Sequence, residues 1–491
     1  MPTLDTGEVS ELAISEVTEY GAVVGGETLR GGDAYEVRSP YDGAPVATIR
    51  RASRADVERA IDLAVRAFDT TRKLPSWKRE EVLKRISEGI AARRDELAET
   101  LAAEAGKPIK ISRGEVDRAV FTFRIAAEES KRIYGELVPL DWLPGLDGRT
   151  AQVRRVPLGP IAGITPFNFP LNLVAHKVAP ALAAGCPIVV RPASQTPVSA
   201  LKLAEIVLEA GWPEDGFAVV PSSVADASPL VEDDRIKLLT FTGSPAVGWA
   251  MKPRAGRKRV TLELGGNAAV IVHEDADRDY AAERIAWGAT VQSGQTCISV
   301  QRVYAHESLD GFAEELAERF KGLVIGDPLD DATDIGPLID TEAADRVEAW
   351  LAEAVDAGAR VLTGGGREGN TIEPTVLVDL REDMKVSCEE AFAPLVGVYR
   401  YGDVREAIRA AGDSEFGLQG GLFTNDLRVI DRAFDEIEVG GLMVNDVSTF
   451  RVDHMPYGGV KSSGAGREGL RYAIEEMTEM KLLTFNSRGG L

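Results

Sequence analysis

Two side chains that could form and then hydrolyse a thioester share one stretch of the chain, Val260 to Val303. Glu263 stands in Thr261-Leu262-Glu263-Leu264-Gly265-Gly266-Asn267, and Cys297 closes Ser293-Gly294-Gln295-Thr296-Cys297. A thiolate attacks an electrophilic carbon, and a carboxylate base activates the water that releases the product. Gly294 permits close backbone approach, and Thr296 and Ser299 flank the thiol with polar groups. A helix is expected to start just beyond Cys297 and lower its pKa. Glu263 lies between two leucines on a strand entering a glycine pair, so desolvation should raise its pKa toward that of a water-activating base. Cys186 and Cys388 read as small buried hydrophobes.

The scaffold that positions this pair is large. A chain of 491 residues exceeds what one core usually serves, so two or more domains are expected. With 44% hydrophobic and 27% charged residues it has the composition of a globular protein. A net charge of −22 argues against a nucleic-acid partner and for an acidic soluble enzyme. No apolar run reaches transmembrane length, and Met1 to Ser10 lack the basic and apolar regions of a signal peptide. No membrane partner and a cytoplasmic location are therefore expected. Three cysteines and four histidines (His176, His273, His306, His454) are too scattered for a disulfide framework or a metal site.

Thr28 to Arg50 alternates about Pro40-Tyr41-Asp42-Gly43 as a hairpin. Ser53 and Asp56 open a capped helix with Val57, Ala60, Ile61 and Ala64 at helical spacing. Further helices are expected over Lys78 to Ala105 and from about Ser112 to Tyr134, then a strand over Thr150 to Val156. From Gly159 the short apolar runs Pro160 to Ile164, Ile188 to Val190, Ala218 to Val220 and Leu238 to Phe241 alternate with helices. That pattern implies a parallel sheet covered on both faces, a doubly wound α/β nucleotide-binding architecture. A second α/β series begins at Ala268 to Val272. Phe241 to Gly248 follows a strand and opens a helix whose N-terminal amides could meet a pyrophosphate, although it is not GxGxxG.

Seven stretches together resemble the aldehyde dehydrogenase superfamily, in family order from about residue 25 to the C-terminus. They are Thr165 to Pro170, Arg191 to Pro197, Phe241 to Gly248, Leu262 to Asn267, Gly294 to Cys297, Glu390 to Pro394 and Pro456 to Gly464. Glu263 and Cys297 lie 34 positions apart, as the family's base and nucleophile usually do. The resemblance implies a Rossmann-like cofactor domain (1–132 and 157–264), an α/β catalytic domain (265–445), a small β oligomerisation element (133–156 and 470–491) and a substrate-entrance segment (446–469). It implies Cys297 as nucleophile, Asn168 with the Cys297 N–H as oxyanion holders, Glu263 as the water-activating base, and Lys177 and Glu468 in support. The glutamate favours hydrolysis to a free acid over transfer to coenzyme A. Cofactor contacts are implied for Thr165, Phe167, Arg191, Ser194, Gly243, Ser244, Gly248, Leu264, Gly265, Glu390 and Phe392.

One departure from the family bears on the cofactor, which the resemblance implies is NADP or NAD. Where relatives commonly carry Lys-Pro-Ser/Ala-Glu, this chain has Arg191-Pro192-Ala193-Ser194; loss of the glutamate removes repulsion of a 2′-phosphate and Arg191 adds a donor, which favours NADP acceptance. Arg118, His176, Thr296, Arg451 and Tyr457 fall where the family lines its substrate pocket, and the two arginines suggest a small aldehyde with an anionic tail. A neutral aldehyde, or an esterase-like use of the same cysteine without redox chemistry, are the alternatives. The exposed strand of the oligomerisation element predicts a homodimer or homotetramer.

Overall fold

The computed structural model describes residues 17–487; the Met1 to Ser10 segment on which the location was argued lies outside them. Among the described residues no helix is long and apolar enough to cross a membrane.

The expected parallel sheet is present. Its strands are β1 (Ile161–Ile164), β2 (Ile188–Arg191), β3 (Phe217–Val219), β4 (Leu238–Thr242) and β5 (Arg259–Glu263), in the order β5-β4-β1-β2-β3 and all parallel. Alternate residues face opposite ways, as a pleat requires. Ile161, Val190, Phe217 and Leu238 enter one core, while Ala162, Val189, Ala218 and Leu239 enter another on the far face. The chain builds β1 to β3 outward on one side and returns to place β4 and β5 on the other. The strand order therefore reverses between β1 and β4, which creates a crevice at the carboxyl ends of the strands, where such sheets bind ligands.

Only Leu264 to Asn267 separate β5 from β6 (Ala268–Val272), the first strand of a second sheet. It continues with β7 (Val300–His306), β8 (Thr375–Val378), β9 (Leu395–Tyr401), β10 (Gln419–Phe423) and β11 (Gly441–Val444), in the order β8-β9-β7-β6-β10-β11, with Arg360–Thr363 antiparallel on the outer side of β8. Arg149–Pro157 pairs antiparallel with both Glu136–Pro139 and Thr478–Asn486 in a third, three-stranded sheet. The hairpin forms as Ala34–Arg38 against Pro45–Arg50, and Ser53 and Asp56 make the reciprocal capping box.

Several expectations are corrected. The single helix over Lys78 to Ala105 is two, Ser76–Ala92 and Arg94–Ala105, broken at Arg93, whose guanidinium holds Glu205 and Glu209. The next helix, α1, spans Ile109–Glu129. No helix begins after Cys297; the chain enters β7 instead. Cys388 is exposed, whereas Cys186 is buried. Leu470–Glu476, grouped above with the oligomerisation element, is a helix whose Leu470 and Ile474 enter the core of the first sheet. Within the expected entrance segment, Gly464–Ala465 adds an antiparallel strand to β5, pairing Gly464 with Glu263.

Candidate active site

Cys297 and Glu263 are held by the ends of two different sheets. The turn before Cys297 is bent by Gln292 (φ 55°) and Ser293 (φ 54°), a left-handed conformation that costs non-glycine residues about 1–3 kcal/mol each. Side-chain bonds anchor it: Ser293 Oγ donates to the Gly336 carbonyl at 2.9 Å, and Gln295 Oε1 accepts the Ile339 N–H at 2.9 Å. A Cβ at Gly266 would lie 2.3 Å from the Cys297 carbonyl oxygen, so only glycine lets the loop after β5 pass the nucleophile.

Cys297 lines a cavity of about 310 Å³ together with Asn168, Thr296, Arg118, Arg451 and Tyr457. Phe169, Leu173, Trp287 and Phe450 supply apolar wall. Asn168 Nδ2 donates to the Gln295 carbonyl at 3.0 Å, which fixes the amide beside the cysteine loop and leaves its second N–H free. Among the described residues the Cys297 N–H has no protein acceptor, so both groups can receive an oxyanion. Burial pushes the Cys297 thiol up to about 11, against the hydrogen bond from Tyr457 and the charge of Arg451. The expected lowering is therefore not found; the helix that was to supply it is absent.

Glu263 is 3% exposed, and among the described residues neither carboxylate oxygen has a hydrogen-bond partner. Burial, and then the neighbouring Glu468, push its pKa well above the usual carboxylate value, as expected for a desolvated base. A Cβ at Gly458 would stand 3.0 Å from Glu263 Oε1, so the segment that brings Tyr457 to the thiol also passes the base.

Lys177, on α2 (Asn172–Ala184), does not touch Cys297. Its ammonium donates to Thr240 Oγ1 at 3.1 Å, Thr242 Oγ1 at 2.8 Å and Glu468 Oε1 at 3.2 Å. His176 is buried, does not line the cavity, and lies between Asp453 Oδ1 (2.8 Å from Nε2) and Glu468 Oε2 (3.3 Å from Nδ1). Arg118 pairs with Asp453 at 2.7 Å and Arg451 with Glu468 at 2.9 Å. Burial opposes charge on both acids, yet His176 and Arg118 hold Asp453, and Lys177, His176 and Arg451 hold Glu468, well below the usual range. Glu115 accepts the Leu171 and Asn172 N–H groups at 2.9 and 3.0 Å and pairs with buried Lys107, whose ammonium lies 3.8 Å from the Phe169 ring centroid. Asp453, Glu115, Lys107, Thr240 and Thr242 were missed from sequence. Asp453 alone carried a signal, a carboxylate two residues after Arg451.

The residues expected at the cofactor gather at the carboxyl ends of β1, β2, β4 and β5. Thr165 Oγ1 is buried and has no hydrogen-bond partner among the described residues. Helix α3 (Pro245–Arg254) opens at Ser244, whose side chain makes no cap bond among the described residues, and Ala246 and Val247 in its first turn are exposed, so their N–H groups are open to a ligand. A Cβ at Gly248 would meet Leu264 at 2.5 Å. Glu390 Oε1 accepts the Gly266 N–H at 2.9 Å, and a Cβ at Gly265 would lie 2.4 Å from Glu390 Oε2. Burial pushes Glu390 up to about 7. Phe392, at φ 53°, meets Phe167 edge-on at 5.9 Å. Arg191 donates through Nε and Nη2 to the Ser222 carbonyl at 3.2 and 3.0 Å, so that edge is occupied and Nη1 is left for a ligand; Ser194 is half-buried nearby in sequence. An orphan hydroxyl, free helix amides, a carboxylate and an aromatic pair at the switch point fit a nicotinamide dinucleotide. Among the described residues no group of three or more His, Cys, Asp or Glu could hold a metal ion.

The chain belongs to the aldehyde dehydrogenase family, whose model matches residues 28–483. It is 47% identical over 476 residues to the 3-sulfolactaldehyde dehydrogenase of Priestia aryabhattai, covering 96% of this chain and 99% of that one. It superposes on aldehyde dehydrogenase 21 from Physcomitrella patens, solved with the reaction product succinate (TM-score 0.95, 43% identity, 97% and 100% covered). A third match is the glyceraldehyde-3-phosphate dehydrogenase GapN of Methanocaldococcus jannaschii DSM 2661, complexed with NADP (TM-score 0.90, 38% identity, 94% and 100% covered). The fold is thus the aldehyde dehydrogenase fold, and the protein is an NAD(P)-dependent enzyme that oxidises aldehydes.

Proposed function

We propose that the enzyme hydrolyses a thioester on Cys297 and prefers small aldehydes with an anionic tail. The observation that carries the first part is a thiol on the cavity wall, next to two free N–H donors, with a desolvated and unpartnered carboxyl behind it. Cys297 sulfur attacks the aldehyde carbon, and Asn168 Nδ2 and the Cys297 N–H receive the oxyanion. The bound nicotinamide supplies the acceptor for the hydride that leaves as the thioester forms. Glu263 takes a proton from water as that water attacks the acyl carbon, and the carboxylic acid leaves. Glu468 raises and Lys177 lowers the pKa of Glu263 through their charges, and His176 positions Arg451 and Asp453. We assign residues 1–132 and 157–264 to the cofactor domain and 265–445 to the catalytic domain.

An anionic tail would complete the charge balance of the pocket. Lys107 pairs with Glu115, Arg118 with Asp453, and Lys177 and Arg451 with Glu468, so four cationic side chains meet three carboxylates around the cavity. Both arginines line the cavity despite their partners. The matched relatives are named for a sulfonated and a phosphorylated aldehyde, and one holds succinate. Arg118→Ala is expected to raise KM for succinate semialdehyde about 10- to 100-fold, the worth of a lost charge-assisted bond, and KM for neutral lactaldehyde less than about twofold. Equal changes for both would rule out the anion site.

For the cofactor, Ser194 and the free Nη1 of Arg191 support acceptance of a 2′-phosphate. Ser194→Glu should cut the ratio of kcat/KM for NADP over NAD by at least about tenfold through like-charge repulsion. A wild type strictly dependent on NAD would overturn the assignment.

Assembly into a dimer or tetramer is supported by two strands that stand last in the order of their sheets among the described residues, β11 in the second sheet and Thr478–Asn486 in the third. The latter exposes Met480, Leu482 and Phe485. Light scattering should give a multimeric mass for the wild type and a shift toward monomer for Leu482→Glu; a monomeric wild type would contradict it.

A further inference from the structure

The hydroxyl of Tyr457 stands 3.1 Å from Cys297 Sγ, and the guanidinium of Arg451 covers the face of the same ring at 3.5 Å from its centroid. Tyr457 is 3% exposed, and its backbone is locked to Glu468 by reciprocal hydrogen bonds of 3.1 and 2.6 Å. Glu468 in turn holds Arg451 at 2.9 Å. A fixed chain of Glu468, Arg451 and Tyr457 therefore ends on the sulfur. Among the described residues no other side chain reaches Sγ with a hydrogen bond.

We propose that Tyr457, backed by Arg451 on its ring, is a catalytic residue that donates its hydroxyl proton in a hydrogen bond to the Cys297 thiolate and so sets the pH at which the nucleophile forms. The proposal rests on Cys297 being the nucleophile. A thiol and a phenol can each donate to the other, but a thiolate only accepts, so the bond strengthens when the sulfur loses its proton to water in the cavity. A cation on the ring face draws electron density from the phenol and adds its own charge. The groups facing the sulfur divide cleanly: Arg451 and the Tyr457 hydroxyl favour the thiolate, whereas Glu263, Glu390 and burial oppose it. Because the opposing side includes the base the second step requires, a dedicated donor at the sulfur reconciles the two roles. After attack the sulfur is a neutral thioether, and the bond relaxes.

A hydrogen bond to a charged group corresponds to about one to two pKa units. Each unit gives about tenfold more thiolate but costs about threefold in intrinsic nucleophilicity, so the net gain below the midpoint is about threefold per unit. The test is alkylation of the apoenzyme by iodoacetamide across pH, read on the Cys297 peptide by mass spectrometry because Cys388 is also exposed. In Tyr457→Phe, which keeps the ring under Arg451, the midpoint should rise by about one to two units, and alkylation below it should slow about three- to tenfold. Fluorotyrosine at position 457, a stronger donor, should move the midpoint down, and it carries the test if the phenylalanine variant does not fold. An unmoved midpoint in either folded variant overturns the proposal. Failure of the underlying assignment is seen separately, as aldehyde oxidation surviving in Cys297→Ala.

Discussion

Replacing Cys297 with alanine is expected to lower aldehyde-dependent NAD(P)H formation by at least about 10⁴-fold, because loss of a nucleophile that acts with its neighbours as a unit removes nearly all of their effect. The fold should survive. Cys297 is only partly buried and sits on a loop held by Ser293 and Gln295, so truncating its side chain leaves those anchors in place. Unchanged thermal melting with lost turnover would separate chemistry from stability. Residual activity within about tenfold of the wild type would refute the nucleophile.

Glu263→Gln should divide the reaction in two. The first half needs the thiol and the oxyanion donors, and the second needs a base. The variant should release about one equivalent of NAD(P)H per active site in a burst and then turn over about 10²- to 10⁴-fold more slowly. The sign of the pH effect follows from burial. A carboxyl pushed well above its usual value is protonated at low pH and cannot take a proton from water. Steady-state turnover of the wild type should therefore rise with pH until Glu263 has ionised, and this limb should be absent from the glutamine variant. Stopped-flow absorbance across pH reads both effects.

Much of this site was legible before any coordinates because its chemistry depends on residue types that the fold handles locally. Glu263 lies between two leucines on a strand that ends in glycines, and Cys297 on a loop of small residues; the strand β5 and the glycine contacts of Gly265 and Gly266 bear out that local pattern. The alternation of apolar runs with helices also carried the doubly wound sheet, since each strand buries both faces. What sequence could not supply was pairing at long range. Tyr457 meets Cys297 across 160 positions and His176 meets Asp453 across 277, and no periodicity announces such contacts. The break at Arg93 was hidden for a related reason, because the residue is a good helix former and its carboxylate partners lie more than a hundred positions away. The thiol was misjudged because a cysteine loop followed by apolar residues suits a helix and a buried strand alike. Here the strand prevailed, since Val300 and Val303 enter the core of the second sheet.

The central claim is that Cys297 carries the acyl group and Glu263 releases it. It is tested most directly by acid-quenching Glu263→Gln after one burst with succinate semialdehyde and cofactor, then measuring the mass of the peptide that contains Cys297. The expected result is that peptide carrying one succinyl group in near-stoichiometric yield, with wild-type enzyme showing little of it. An unmodified Cys297 peptide after a full burst of NAD(P)H would contradict the account.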